Sequence, residues 1–251
     1  AFFVCVWGVS PSSHLSPSSA ESVVYKRQSS GTAKNDNVRA VVFSAEGDFF
    51  CFGGDLKEFK EFGGQPDKLK PIADQLHEAM SIFLTMPKPL IVAVNGMAAG
   101  AGVPISLVGD IIIVDETARF RLAYTAAGLS PAGGSTWLLP RLIGFRRTQE
   151  LIFENRELSA QEAVEWGLAT RTAVQGAALD TAIKQAQAMA EGPTMAYASA
   201  TMLLETTFAN NFVAQTDIET QEIAANMAGH DGKEGIDALV NKRKPNFKGI
   251  R

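Results

Sequence analysis

The chain has 251 residues, 46% hydrophobic and 20% charged, which is ordinary globular composition with room for one large core. Its formal net charge is −4 and its basic residues are scattered, which argues against a nucleic-acid-binding stripe. Two cysteines, Cys5 and Cys51, make neither a disulfide framework nor a zinc site and point to a reducing, cytoplasmic setting.

Residues 1–36 begin without Met on an apolar run and then become rich in Ser and Pro. The segment resembles a targeting segment but lacks a basic start before its apolar run. This segment is expected to be atypical and poorly ordered. From Asn37 the pattern becomes regular. "VRAVVFS" (38–44) reads as a buried strand, and "GDFFCFGGDL" as a turn and loop. Across 67–85, Leu69, Ile72, Leu76, Met80 and Phe83 recur at helical spacing, until Pro87 and Pro89 stop the helix.

"LIVAV" (90–94) is a second buried strand, and "NGMAAGAG" a tight glycine-rich turn. "VPISLVGD" reads as a short helix with Pro104 in its first turn, where a missing N–H does no harm. "IIIVD" (111–115) and "FRL" (120–122) are further strands. Residues 89–114 are apolar enough to raise a membrane span, but Asn95, Pro104, Asp110 and three glycines interrupt them. "GLSPAGGSTWLLPRLIG" is a second glycine loop running into a helix. Ser159 and Glu162 form a capping box before another helix, and residues 177–241 read as helical almost throughout. Strands alternating with helices, followed by helices alone, indicate an α/β core with a C-terminal helical layer.

Two strand-to-helix turns carry small residues, Phe52-Gly53-Gly54 and Ala99-Gly100-Ala101-Gly102. Small side chains let a ligand reach the backbone, and a helix start offers unpaired N–H groups. Two such groups converging on one point would make an oxyanion hole. The alternative is that the glycines only permit close packing of helix on strand. Neither turn matches the phosphate-binding G-x-x-x-x-G-K-[ST], and "GAGVPI" lacks the third glycine of a dinucleotide fingerprint.

The ordered set "FCFGGDL", "KPLIVAVNGMAAGAGVPISLVGDIIIV", "GLSPAGGSTWLLPRLIG", "LSAQEAVEWGLA" and "KRKPNFKG" resembles the crotonase (enoyl-CoA hydratase/isomerase) superfamily, from about Asn37 to Gly249. The resemblance implies a ββα spiral core over 37–190, a C-terminal helical trimerisation region over 191–251, and assembly as homotrimers or hexamers. It implies an acyl-CoA thioester as substrate, with coenzyme A as part of that substrate, no separate cofactor, no metal, and neither nucleic acid nor membrane as partner. The carbonyl would lie between the Phe52 and Ala101 amides. The Phe52 side chain, bulkier than the residue usual there, is expected to narrow or redirect the pocket. Gly53, Gly54, Asp55 and Leu56 would line the nucleotide and pantetheine path, and Lys242 would reach CoA phosphates from a neighbouring subunit. Residues 1–36 lack the strand and the "NRP…NA" pattern expected of relatives.

The acid–base residues of that family are missing from their usual places. The two glutamates of the hydratases are replaced by Pro104 and Tyr124, and the isomerase acid of the "GL.P[DE].G" loop by Ala132. Three explanations stand: an acid replaced in this chain; another proton carrier, such as Tyr124, Glu58 or Glu61; or acyl-CoA binding with little turnover. The reading most like the sequence is a Δ3,Δ2-enoyl-CoA isomerase; the alternatives are a non-catalytic acyl-CoA-binding homologue and an atypical hydratase. His14, His77 and His230 are far apart and lack metal spacing; His77 reads as a surface or boundary residue. Asp110 reads as a loop-structuring residue, and Trp137 and Trp166 as core or edge packing. No G-x-S-x-G elbow is present.

Overall fold

The computed structural model describes the backbone of residues 3–9 and residues 30–250 in full. Five parallel strands make the main sheet, in the order β1 (Phe3–Val9), β2 (Val38–Ala45), β4 (Leu90–Val94), β6 (Ile111–Asp115), β9 (Arg171–Ala173). The strand at 3–9 corrects the expectation that residues 1–36 lack one: it pairs with β2 along its whole length, Val4 beside Ala40 and Val9 beside Ala45. Residues 10–29 lie outside the described residues.

The central strands read as unbroken apolar runs because both faces of the sheet are covered. Side chains alternate along a strand. Val41, Phe43, Val92, Val94, Ile112 and Val114 enter the larger core on one face. Ala40, Val42, Ile91, Ala93 and Ile113 face a smaller core built against Ala178, Ala182, Ala186 and Ala190. Those alanines recur every four residues, so one helix lays a stripe of methyl groups on the sheet and its backbone comes close.

A second sheet has the order β3 (Phe49–Cys51), β5 (Met97–Ala99), β7 (Arg119–Arg121), β8 (Leu158–Ser159), with only the last strand antiparallel. Residues 49–51 and 97–99 are therefore short strands, where the sequence reads as turn and loop; three residues are too few to show a period of two. Each long strand passes at once into a short strand of the second sheet and then into a helix: β2–β3 into α1 (Leu56–Glu61) and α2 (Pro66–Leu84), β4–β5 into α3 (Gly102–Ser106), and β6–β7 into α4 (Ser135–Ile143). This is the expected ββα spiral. Helices α5 (Phe145–Glu154), α6 (Ala160–Trp166) and α7 (Ala178–Ala190) close the core, and α8 (Thr194–Thr206), α9 (Phe212–Ala228) and α10 (His230–Val240) form the helical layer.

Buried cations tie the periphery down. The Lys88 ammonium, 5% exposed, donates to the carbonyls of Thr32, Ala33 and Asn35 at 2.7, 3.0 and 2.8 Å, closing the C-terminal end of the helical turn at 30–33. Arg39 donates to the Thr194 hydroxyl and to the Phe247 and Gly192 carbonyls, while Asp231 accepts from the Lys248 and Gly249 amides. The C-terminal segment is thereby pinned to the sheet and to α10. Asp110 accepts from the Leu90 amide and the Thr201 hydroxyl, which joins the main sheet to α8. The guanidinium groups of Arg147 and Arg156 each lie 4.7 Å from the centre of the Trp166 ring.

Two consequences are measurable. A Cβ on Gly102 would stand 2.2 Å from the Cys51 carbonyl oxygen, so Gly102→Ala is expected to cost about 1–3 kcal/mol or more, read as a lower urea midpoint. The capping box of α6 is complete, with Ser159 accepting from the Glu162 amide and Glu162 from the Ser159 amide. Ser159→Ala is expected to cost about 1 kcal/mol. Bonds from the Ser159 amide and hydroxyl, with Arg156 adding to them, hold the Glu162 pKa at about 2. A depressed carboxylate stabilises above its unfolded pKa and loses that effect as pH falls toward the folded value. The stability gap between wild type and Glu162→Gln should therefore narrow as urea titrations move from pH 5 toward pH 2.

Candidate functional site

The two glycine turns meet. Gly53 has φ +85°, and a Cβ there would lie 2.7 Å from the Ala101 nitrogen and 3.0 Å from the Ala99 carbonyl oxygen. Only glycine combines that backbone conformation with that proximity. The amide of Gly100 is committed to the Arg121 carbonyl, and that of Gly53 to the Cys51 sulfur. Among the described residues, no acceptor takes the N–H of Phe52 or of Ala101.

A cavity of about 190 Å³ opens beside this junction. Ala101, Gly54 and Phe59 form one side, Tyr124, Ser130, Ala132 and Gly133 another, and Leu69, Ile72, Ala73, Leu76 and His77 of α2 the third. The apolar stripe of α2 therefore has two roles. Its first half, Leu69 to Leu76, lines the cavity, while Ala79, Met80 and Phe83 are buried in the core. Phe59 reaches the cavity because position 54 is glycine; a Cβ there would stand 2.4 Å from the Phe59 ring.

The sequence-predicted residues divide accordingly. Phe52 is half-exposed, with its ring on Phe49 at a centroid distance of 4.8 Å, and it forms no part of the cavity wall. Asp55 spends its carboxylate as the N-cap of α1, accepting from the Lys57 and Glu58 amides at 2.8 and 3.3 Å. Leu56 is exposed. Glu58 and Glu61 do not line the cavity. Lys242 follows α10 with φ +53° and is exposed, away from the turns in sequence and without a described ion pair.

Pro104, Tyr124 and Ala132, where the resemblance leads one to expect acids, do come together. A Cβ on Gly133 would be 2.9 Å from Pro104 Cγ and 3.7 Å from the Tyr124 hydroxyl, and Tyr124 donates to the Ala132 carbonyl at 3.3 Å. Burial, reinforced by the neighbouring Cys51 thiol, pushes the Tyr124 pKa above its ordinary value. The phenol thus stays protonated and serves as a donor rather than a base.

Three further residues border the site without a sequence signal for that role. His77 is exposed on one side, yet its Nε2 accepts the Gly133 amide at 3.2 Å and it lines the cavity. Gly133 and His77 also border a second cavity of about 370 Å³, with Trp137, Leu138 and Glu205 on its far side. Trp137 is 41% exposed and is a wall of that cavity, with the Arg141 guanidinium 4.0 Å from its ring, which places it at the edge of the packing. Glu205 comes from the helical layer; burial, then Asp110, raise its pKa while Arg141 opposes them. Helical spacing marks none of these, because the partners lie on other elements. Among the described residues, no group of three His, Cys, Asp or Glu could hold a metal ion, and no helix is long and apolar enough to cross a membrane.

Comparison with known proteins agrees with this architecture. The family model described as enoyl-CoA hydratase/isomerase matches residues 27–250. The chain is 34% identical over 220 residues to the 1,2-epoxyphenylacetyl-CoA isomerase of Escherichia coli K12, covering 86% of this chain and 83% of that one. It is 30% identical over 217 residues to the 2,3-dehydroadipyl-CoA hydratase of the same organism, covering 86% and 84%. Crystal structures of enoyl-CoA hydratases from Polaromonas sp. JS666 and Bacillus anthracis superpose with TM-scores of 0.90 and 0.89 at 28% and 30% identity, each over at least 95% of both chains. By its ββα spiral and the match over residues 27–250, the chain belongs to the enoyl-CoA hydratase/isomerase family of the crotonase superfamily.

Proposed function

We propose that the protein is an acyl-CoA isomerase of the Δ3,Δ2-enoyl-CoA type, which holds a thioester enolate between the Phe52 and Ala101 amides. The observation that carries this reading is the meeting of the two glycine turns. Gly53 packs against the Ala101 nitrogen, and two N–H groups near the junction have no described acceptor. Donors fixed in a site of low polarity stabilise a developing oxyanion without reorganising, typically by a few kcal/mol each.

The chemistry follows from that placement. A 3-enoyl thioester loses a proton from C2; the C–H electrons become a dienolate whose negative charge rests on the thioester oxygen. The charge returns as a proton is delivered at C4, and the double bond ends between C2 and C3. The apolar wall of Leu69, Ile72 and Leu76 suits the acyl chain. Gly53, Gly54, Asp55 and Leu56 border the approach of the CoA moiety, with the Asp55 carboxylate shaping that edge as a helix cap. CoA is part of the substrate, and the reaction calls for no separate cofactor.

Residues 191–251 serve as the assembly region, giving a homotrimer or hexamer in which Lys242 of one subunit reaches the CoA phosphates of another. Supporting this, α9 has no buried residue of its own. Phe208, Phe212, Val213, Ile223, Leu239 and Val240 are all exposed in the single chain. Apolar exposure on that scale marks an interaction face.

The isomerase reading over the hydratase one rests on the Gly128–Gly134 loop and on the relative named as an isomerase. The neutral phenol of Tyr124 and the Pro104 ring supply no base for water. A second reading, acyl-CoA binding without turnover, draws on Pro104, Tyr124 and Ala132 standing where relatives carry acids.

The test compares 3-enoyl-CoA isomerisation by wild type, Ala132→Asp and Ala132→Glu. Wild type is expected to turn over, because another residue carries the proton. Activity confined to the acid variants would mean a lost carrier, and inactivity in all three with acyl-CoA still bound would favour the binding reading. Crotonyl-CoA hydration that disappears in Tyr124→Phe would instead establish an atypical hydratase.

A further inference from the structure

The geometry points to His77 as the proton carrier of this site, taking over the work that carboxylates do elsewhere in the family; the inference rests on the isomerase-type reading above. Two observations lead to it. First, among the described residues lining the cavity that contains Ala101, the titratable side chains are His77 and Tyr124 alone. Glu58 and Glu61 do not reach the cavity, Asp55 is committed to capping α1, and Glu205 borders only the neighbouring cavities. Tyr124 has its O–H directed at the Ala132 carbonyl. Second, the His77 imidazole is already oriented toward the loop of the missing acid: its Nε2 accepts the amide of Gly133 at 3.2 Å, next to Ala132 in the chain. Accepting that N–H means Nε2 carries no proton, so the other ring nitrogen does. The lone pair of Nε2 is thus unprotonated and engaged by the amide that follows Ala132 in the loop.

The step balances without a co-reactant. Nε2 releases the Gly133 amide and bonds to the C2 proton as the C2–H bond breaks, and the electron pair passes into the dienolate. The imidazolium then returns the same proton to C4, and Nε2 regains its lone pair and its Gly133 partner. Imidazole is suited to both halves, since its unprotonated ring nitrogen can take up a proton and give it back. His77 shares its cavity with Tyr124 from the loop after β7 and borders the neighbouring one with Glu205 from α8 and Ser81 of its own helix; Asp74 and Glu78 are its charged neighbours along α2.

The experiment follows deuterium uptake at C2 of octanoyl-CoA in D2O by NMR, beside isomerisation of a 3-enoyl-CoA and calorimetric binding of octanoyl-CoA. It uses full-length wild type, His77→Gln and His77→Ala. Gln keeps an acceptor for the Gly133 amide but cannot carry the proton. Both variants should lose exchange and isomerisation turnover by about 10²–10⁴-fold, with octanoyl-CoA affinity within threefold of wild type. Added imidazole should restore part of the His77→Ala activity, which a structural role would not permit. Exchange by His77→Gln at the wild-type rate overturns the assignment, as does wild type that binds octanoyl-CoA yet neither exchanges nor isomerises. Wild type that fails to bind acyl-CoA at all overturns the functional reading itself, so the two failures are distinguishable.

Discussion

The close approach of two backbone turns is the constraint on which the rest of this structure depends. Residues 51–53 and 99–102 come from different ββα units, and they touch through main-chain atoms. Gly53 meets the Ala101 nitrogen, and Gly102 meets the Cys51 carbonyl. Any side chain at these positions would separate the units. The arrangement costs backbone entropy at each glycine and is held from outside by the parallel sheet, whose strands β2, β4 and β6 are buried on both faces. The rigid sheet fixes where each strand ends, and the strand ends fix where the two amides lie.

Helix α2 shows how one amphipathic element serves both stability and site. A 19-residue helix is longer than the core it covers. Its C-terminal half anchors in the larger hydrophobic cluster through Ala79, Met80 and Phe83, and its N-terminal half forms one wall of the cavity. His77 sits where the two halves meet. That position explains its mixed character: one side of the ring is open, while its Nε2 is engaged by a loop 56 residues away in sequence. The partition formed by His77 and Gly133 also separates the cavity beside Ala101 from the larger space under Trp137 and Glu205.

Pro104, Tyr124 and Ala132 converge although none can act as a base. The scaffold thus brings together three positions at which the sequence resemblance alone would lead one to expect acids. Pro104 fits the first turn of α3, where no N–H is needed. Tyr124 gains a hydrogen bond to the Ala132 carbonyl that a carboxylate could not donate. The loop around Gly133 is in turn held from the α2 side by His77.

Much of the fold was legible in the sequence, because burial leaves a local signature. "VRAVVFS", "LIVAV" and "IIIVD" are continuous apolar runs, and runs of that length between glycine-rich turns mark strands covered on both faces. Ser159 and Glu162 announce their helix through a pattern three residues wide. The same locality explains what was missed. Strands β3, β5, β8 and β9 have two or three residues each, too few for alternation to register, and the strand at 3–9 lies in a segment whose composition changes soon after it. The packing role of the α7 alanines, the capping duty of Asp55, the stacking of Phe52 on Phe49 and the meeting of His77 with Gly133 were decided only in three dimensions. Each is a contact between distant or differently oriented elements, and hydrophobic periodicity reports which face of an element is buried without naming what it is buried against.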